Sequence, residues 1–363
     1  AYESLAEELS NVVVEQIKNE NELENHDDYV TSLHFLIDVA KYDDTVKQRN
    51  IWIKLWRTLQ QLIDNEEDRD IELTSLCLKE VGACIERIET KILAETELNE
   101  IVLMVKNVLE RETRRRDTDP LIDRNNRAEE SGGLLHTTIE IFLGLFKKEF
   151  PICNIISPIM PIVFPLIDKC TNKQWGVQFV KILVEYAPQF SLEFKDQMVP
   201  LLFHSLTDDQ TAVRRFAANS FGQMATSNIA ELKEIAVYSL DFMCQLMSRP
   251  DAKLPGSIVA TEDAIAAVIK IIGNCDEKKI GTGRTNEDSE PFLSWFPLSG
   301  ESSECQLAYV FLLDLIDSNH PQIMGSEPNT ISPRLLYILT KAIHDEVYRE
   351  TFDKYELIEK ETK

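Results

Sequence analysis

Thr207-Asp-Asp-Gln-Thr-Ala-Val-Arg-Arg-Phe-Ala-Ala-Asn-Ser-Phe-Gly-Gln-Met-Ala225 decides how the rest of the chain is read. An acidic turn, Asp208-Asp209, leads into a segment whose apolar positions are Val213, Phe216, Ala217, Ser220 and Met224. Steps of three and four residues put these on one face of an α-helix, with Arg215, Asn219 and Gly222 opposite. Small side chains on that face let a second helix pack very close. One such helix is weak evidence for a fold; a chain built of similar helix pairs is strong evidence.

Working outward, helical periodicity is nearly continuous and strand-like alternation is absent. The spacing predicts helices over 3–19, 28–42, 44–64, 69–89, 95–111, 131–148, 152–169, 173–187, 192–206, 209–226, 229–247, 257–274, 304–318 and 331–346. Punctuation falls at Asn65, Pro188, Asp208, Pro250, Pro255 and Pro321. Two helices with their turns take about 40 residues, the period of HEAT and armadillo repeats. No pair buries its apolar face alone, so pairs stack into a solenoid with a concave inner wall. The expected fold is all-α: a HEAT-repeat α-solenoid, a right-handed superhelix of antiparallel helix pairs.

Within 44–64, Ile51, Trp52, Leu55, Leu59 and Leu62 follow helical spacing, and Ile53, Trp56 and Ile63 add a second apolar edge. A helix apolar on two edges is packed on both sides, as in an interior repeat. Two segments break the pattern. Residues 111–130 are charged and poor in apolar side chains, which reads as a long loop or disordered insert. Residues 276–290 form a polar loop around Gly281-Thr-Gly283. The expected organisation is HEAT repeats over 1–110, the insert, repeats over 131–275, the polar loop, and C-terminal repeats over 291–363.

Composition agrees with this reading. At 363 residues the chain exceeds one ordinary core. Hydrophobic content of 44% and charged content of 28% fit a folded protein, and 12 Gly with 14 Pro leave little turn chemistry for many short strands. A net charge of −24 and a pI near 4.7 argue against phosphate backbones and anionic membranes and favour a basic partner. The same excess carboxylate also serves to keep a large helical surface in solution. The seven cysteines (77, 84, 153, 170, 244, 275 and 305) are scattered through apolar faces, without Cys-x-x-Cys or Cys/His grouping. Reduced thiols in a cytosolic or nuclear protein are expected, with no metal and no cofactor. A chain that opens straight into a helical pattern at Ala1 is expected to be a fragment of something longer.

No enzymatic constellation stands out. Gly281-Thr-Gly283 lacks the spacing of a phosphate-binding loop. Histidines 26, 34, 136, 204, 320 and 344 are far apart, and Ser294 and Ser299 have no nucleophile elbow. Arg111, Arg114, Arg115 and Arg116 are interleaved with Asp117, Asp119 and Asp123 and lack stacking aromatics, which suits a self-neutralising loop better than a nucleic-acid patch.

The candidate partner-binding residues are Trp175, Asp208, Asp209, Asn219, Glu262, Asp263, Asp314 and Asp317. Asp314 and Asp317 share a face of the helix holding Leu312, Leu313 and Ile316. Glu262 and Asp263 are expected in a first helical turn, where carboxylates either contact a partner or complement the macrodipole. The Asn219 amide is placed to bond an extended peptide backbone or a neighbouring helix. Trp175 either clamps a lysine stem by cation–π contact or packs within the solenoid.

Lys173-Gln-Trp-Gly176, the 208–225 helix, Thr261-Glu-Asp-Ala-Ile-Ala-Ala-Val268, Phe292-Leu-Ser-Trp-Phe-Pro-Leu298 and Leu313-Asp-Leu-Ile-Asp-Ser-Asn-His-Pro321 occur in this order. Together they resemble the C-terminal half of an importin-β (karyopherin-β) family nuclear transport receptor of the importin-5 type, over about residues 70–346. The resemblance implies a shuttling receptor, found in cytoplasm and nucleus, for basic cargo such as ribosomal proteins and histones. It implies phenylalanine-glycine nucleoporins as partners on the outer surface and release of cargo by the GTP form of Ran. The main Ran site is implied to lie in N-terminal repeats outside this chain. Relatives of this type carry a strongly acidic insert where Arg111–Glu130 stands here, and the acidic character is diluted. The alternative from the residues alone is a HEAT scaffold subunit of a phosphatase or chromatin complex without transport activity.

Overall fold

The computed structural model describes residues 71–87, 93–118, 127–148, 156–168, 173–275, 295–298, 303–318 and 333–344, with isolated positions over 49–63 and at 150 and 293. Every regular element among the described residues is a helix. Contacts divide the chain into two compact units, residues 1–179 and 180–363.

In the first unit, α1 (Ile71–Arg87) lies beside α3 (Arg127–Lys147), while α2 (Glu95–Thr118) and α4 (Met160–Asp168) form a second layer. Glycine sets the α1–α3 spacing: a Cβ on Gly144 would meet Ile85 Cγ2 at 3.3 Å, and one on Gly82 would meet Ile141 Cγ1 at 3.5 Å. Leu78, Val81 and Ile85 of α1 and Ile141, Phe142 and Leu145 of α3 are fully buried along this seam. The opening residues of α5 (Lys173–Tyr186) close the unit, with Phe179 edge-on to Phe142 at 5.1 Å. Upstream, Trp52, Trp56, Leu59 and Ile63 are buried and the two indoles stack at 6.2 Å, in keeping with burial on more than one edge. Positions 51, 55 and 62 lie outside the described residues.

The charged segment 111–130 is more helical than its composition suggests. Helix α2 continues to Thr118 and α3 begins at Arg127. Lys106 and Arg114 both pair with Glu110 four residues away, and Thr113 Oγ1 donates to Leu109 O at 2.8 Å. Such i,i+4 pairs support the helix, and packing holds the start of the segment as well: Glu112 is buried and Arg111 Nη1 donates to Ile63 O at 3.4 Å. The interval between the two helices lies outside the described residues, as does the 276–290 loop.

In the second unit, α6 (Pro188–Ser191) opens with Pro at its first position, where no amide hydrogen is needed. A 3₁₀ turn, Leu192–Phe194, connects it to α7 (Lys195–Ser205). Helix α8 (Thr211–Thr226) follows, then α9 (Ala230–Tyr238), α10 (Leu240–Met247) and α11 (Ile258–Asn274). Next come α12 (Ser303–Asp317) and α13 (Pro333–His344). Helices α8, α11 and α12 line up as one layer, and α7, α9 and α10 pack behind it. Close approach of α8 and α11 depends on Gly222, whose added Cβ would meet Ala267 Cα at 3.2 Å. Ten of the 16 residues of α8 are buried, including Asn219 and Gly222 on the face opposite the apolar stripe. A helix between two repeats has no free polar side. A terminal core joins Ile265 and Ile269 of α11 to Phe296, Tyr309, Leu312, Leu335 and Ile338.

Candidate functional site

The seam between α8 and α11 begins with the turns that precede them. Asp208 Oδ1 accepts the Gln210 amide at 2.9 Å, a local turn that starts α8. Arg214, one turn inside α8, is 1% exposed although it carries a charge. Its Nη1 donates to the carbonyls of Asp208 and Asp209, each at 2.8 Å, and its Nη2 to Ser257 Oγ at 3.1 Å. Ser257 Oγ donates in turn to Asp251 Oδ2 at 2.8 Å, and Arg249 Nε donates to Asp251 Oδ1 at 3.0 Å. Thr211 Oγ1 donates to Gly256 O at 2.7 Å. One buried guanidinium therefore ties the entry turn of α8 to the entry turn of α11.

Electrostatics follow from this geometry. Burial pushes the Arg214 guanidinium down from its ordinary value, helped by nearby Arg249 and opposed by Asp251, Asp208 and Asp209. The Ser257 hydroxyl and then Arg249 hold the Asp251 carboxyl below the usual carboxylate range.

Midway along the seam, Asp263 of α11 is fully buried and Asn219 nearly so. Asp263 Oδ2 accepts from Arg215 Nε at 2.7 Å and from Asn219 Nδ2 at 2.9 Å. The Asn219 amide thus bonds a neighbouring helix, the second of the two roles its position allowed. The first-turn placement of Glu262 and Asp263 is corrected: α11 starts at Ile258, and its first turn holds no acid. Both carboxylates sit in the second turn and face packed helices, so neither caps the helix. Glu262 is 3% exposed and accepts the Cys305 thiol of α12 at 3.5 Å.

The remaining candidates divide by exposure. Asp209, Asp314 and Asp317 are exposed and Asp208 is half-buried. Asp314 lies nine residues beyond Cys305 on α12, roughly 13 Å along the helix axis. Trp175 is corrected to a packed residue. It is buried, stacks on Phe179 at 5.6 Å, and its Nε1 donates to Leu135 O at 2.7 Å and Thr138 Oγ1 at 3.2 Å. No ring face is left for a lysine stem. The structure therefore joins Asp208, Asp209, Asn219 and Asp263 along one seam, while Asp314 and Asp317 stand apart on α12.

Sequence reasoning passed over Arg214, Asp251, Ser257 and Cys305. A signal existed for the first: Arg214, Ala218, Phe221 and Ala225 recur at steps of three and four, so the arginine stands in a buried stripe. Asp251 and Ser257 gave no comparable signal, because their partner is about 40 residues away. Among the described residues no group of three or more His, Cys, Asp or Glu could hold a metal ion. No described helix is long and apolar enough to cross a membrane. What the surface can do chemically is present carboxylates on a helix layer tied internally by the Arg214 and Asp263 hydrogen bonds.

No protein-family model matches the chain. Over 212 residues, 56% of the chain, it is 23% identical to importin subunit beta-3 of Saccharomyces cerevisiae and spans 17% of that protein. Among solved structures, it resembles Kap121p bound to Pho4p with a TM-score of 0.71 at 15% identity, covering 97% of this chain and 35% of that one. Kap121p bound to Nup53p gives a TM-score of 0.70 at 14% identity, covering 98% and 35%. Kap121p bound to RanGTP gives 0.64 at 17%, covering 92% and 32%. The chain thus spans about a third or less of the proteins it resembles. The likeness establishes the all-α, HEAT-repeat solenoid fold.

Proposed function

We propose that the chain is the C-terminal HEAT-repeat portion of an importin-β family nuclear transport receptor of the importin-5 type. It binds proteins and catalyses nothing. It recognises basic nuclear-localisation signals of cargo such as ribosomal proteins or histones, engages phenylalanine-glycine nucleoporins, and shuttles between cytoplasm and nucleus. Ran-GTP controls release, with its main contact outside this chain. The carrying observation is the 212-residue similarity to importin subunit beta-3. The Kap121p complexes with Pho4p, Nup53p and RanGTP indicate which partner classes to test.

The physical chemistry supports the same reading. A chain with 62 carboxylates and 38 Lys and Arg attracts Lys-rich segments over a Debye length of about 8 Å at physiological salt. Asp314 and Asp317, exposed on α12, are the carboxylates assigned here to meet them. A solenoid stabilised mainly by neighbour contacts flexes, so its ends couple through its pitch.

Immobilised phenylalanine-glycine repeats provide the test. Retention of the full-length protein that carries this chain, competed by soluble repeats, is expected. Passage through the column like an unrelated helical protein would favour a scaffold subunit instead.

A further inference from the structure

Arg215 escapes the burial that takes most of α8, as do Thr211, Ala212, Phe216, Gln223 and Thr226. Helices α8 and α11 and the helices packed behind them lie within residues 173–275, which the structure describes without a break. The Arg215 side chain is 40% exposed, yet its guanidinium is anchored on the inner side. Nε donates to Oδ2 of the fully buried Asp263 at 2.7 Å, and Cζ lies 5.9 Å from the centroid of the Phe216 ring. Asn219 Nδ2 donates to the same carboxylate oxygen at 2.9 Å and so helps fix the anchor itself.

Anchoring through Nε leaves the end-on edge of the guanidinium, Nη1 and Nη2. Among the described residues neither nitrogen meets an acceptor. A planar fork held in this way loses less conformational entropy on binding than a mobile lysine does. Two adjacent N–H groups suit an oxygen acceptor, either a carboxylate or a peptide carbonyl. Asp263 already balances the guanidinium charge, and the chain as a whole carries −24. A second carboxylate would therefore complete a minus-plus-minus line within an acidic molecule, whereas a neutral carbonyl meets no such repulsion.

We infer that Arg215 is a backbone clamp, whose Nη1 and Nη2 donate to a main-chain carbonyl of an extended partner segment lying across the α8–α11 seam. Successive side chains of an extended segment point to opposite sides. A carbonyl held at Arg215 thus leaves lysines of the segment free to reach exposed carboxylates such as Asp209. The inference rests on the reading of this chain as a receptor for basic segments, and adds to it a contact that is blind to side-chain identity.

The test is fluorescence anisotropy of a labelled lysine-rich import-signal peptide on the full 363-residue chain, native and with Arg215→Met or Arg215→Lys. Arg215→Met should weaken binding about tenfold or more, and Arg215→Lys, which keeps the charge without the fork, should not restore it. Through-space electrostatics alone gives the opposite sign, because loss of a cation tightens a basic peptide. A series of the same peptide with one amide at a time replaced by an ester, whose carbonyl is the weaker acceptor, reads the contact directly. One replacement should weaken binding to the native chain and leave Arg215→Met unaffected, a coupling that a purely structural role of Arg215 would not produce. Unchanged or tighter binding by Arg215→Met, or ester effects that never depend on Arg215, would overturn the inference while leaving basic-segment binding intact. No binding of the lysine peptide by the native chain would remove the receptor reading within these repeats, and the inference with it.

Discussion

Arg214→Met removes the guanidinium that ties the two entry turns together while keeping an apolar stem of similar length. Five contacts go with it: two carbonyls at 2.8 Å, Ser257 Oγ at 3.1 Å, Thr211 Oγ1 at 3.3 Å, and Asp251 Oδ2 at 3.8 Å. Hydrogen bonds to a charged group contribute about 1.5–3 kcal/mol each, but not all of that is lost. Asp209 is exposed and Thr211 half-buried, so water replaces part of the bonding there. The Asp251 side chain is 36% exposed, so its Coulomb attraction is screened. The unrecovered cost is then about 2–4 kcal/mol, below the roughly 3–5 kcal/mol of a fully buried broken pair. Arg249→Met is the control, because its side chain is 31% exposed and bonds the same Asp251; it should cost less than about 1 kcal/mol. Equilibrium urea unfolding followed by far-UV circular dichroism reads both. A loss under about 1 kcal/mol for Arg214→Met, or one no larger than the control, would refute the view that this network holds the seam.

Three further outcomes are expected. Gly176→Ala should destabilise by about 1–2 kcal/mol despite better helix propensity, because its Cβ would overlap Ile167 Cγ1 and stand 3.2 Å from Ile167 N. Gly273→Ala in α11, with nothing within 4 Å, should be neutral or stabilising, and thermal melts that rank the two in the opposite order would contradict the packing. Because the Asp251 carboxyl is depressed, its contribution is present above the unfolded value and lost as pH falls through the folded one. The stability gap between the native chain and Asp251→Asn should therefore begin to narrow below about pH 4 and vanish once pH falls below the folded value, and a gap that does not narrow with acid would count against the Ser257 and Arg249 interactions. Asp314→Lys with Asp317→Lys should weaken a Lys-rich peptide roughly 5- to 30-fold at low salt with helicity intact; unchanged affinity would place the contact elsewhere.

The fold was readable because its determinants are local. Steps of three and four from Val213 to Met224, with Pro and Asp at the turns, dictate a helix layer whatever lies beside it. The seam chemistry was not readable, because Asp263 comes from 44 residues beyond Asn219 and Asp251 from 37 beyond Arg214. Trp175 shows the same limit. A Trp at the start of a helix is equally suited to a partner or a core, and only Leu135 and Thr138 on α3 determine which. Residues 111–118 reveal the reverse error: composition suggested a loop, while pairing along α2 extends the helix.

The most direct measurement is fluorescence anisotropy of a labelled lysine-rich import-signal peptide titrated with this chain, at low and near-physiological salt, beside a charge-reversed peptide. Saturable binding of the basic peptide that weakens but survives at about 0.15 M salt is expected of a cargo surface within these repeats. Equal affinity for both peptides, or no basic-peptide binding even at low salt, would contradict it.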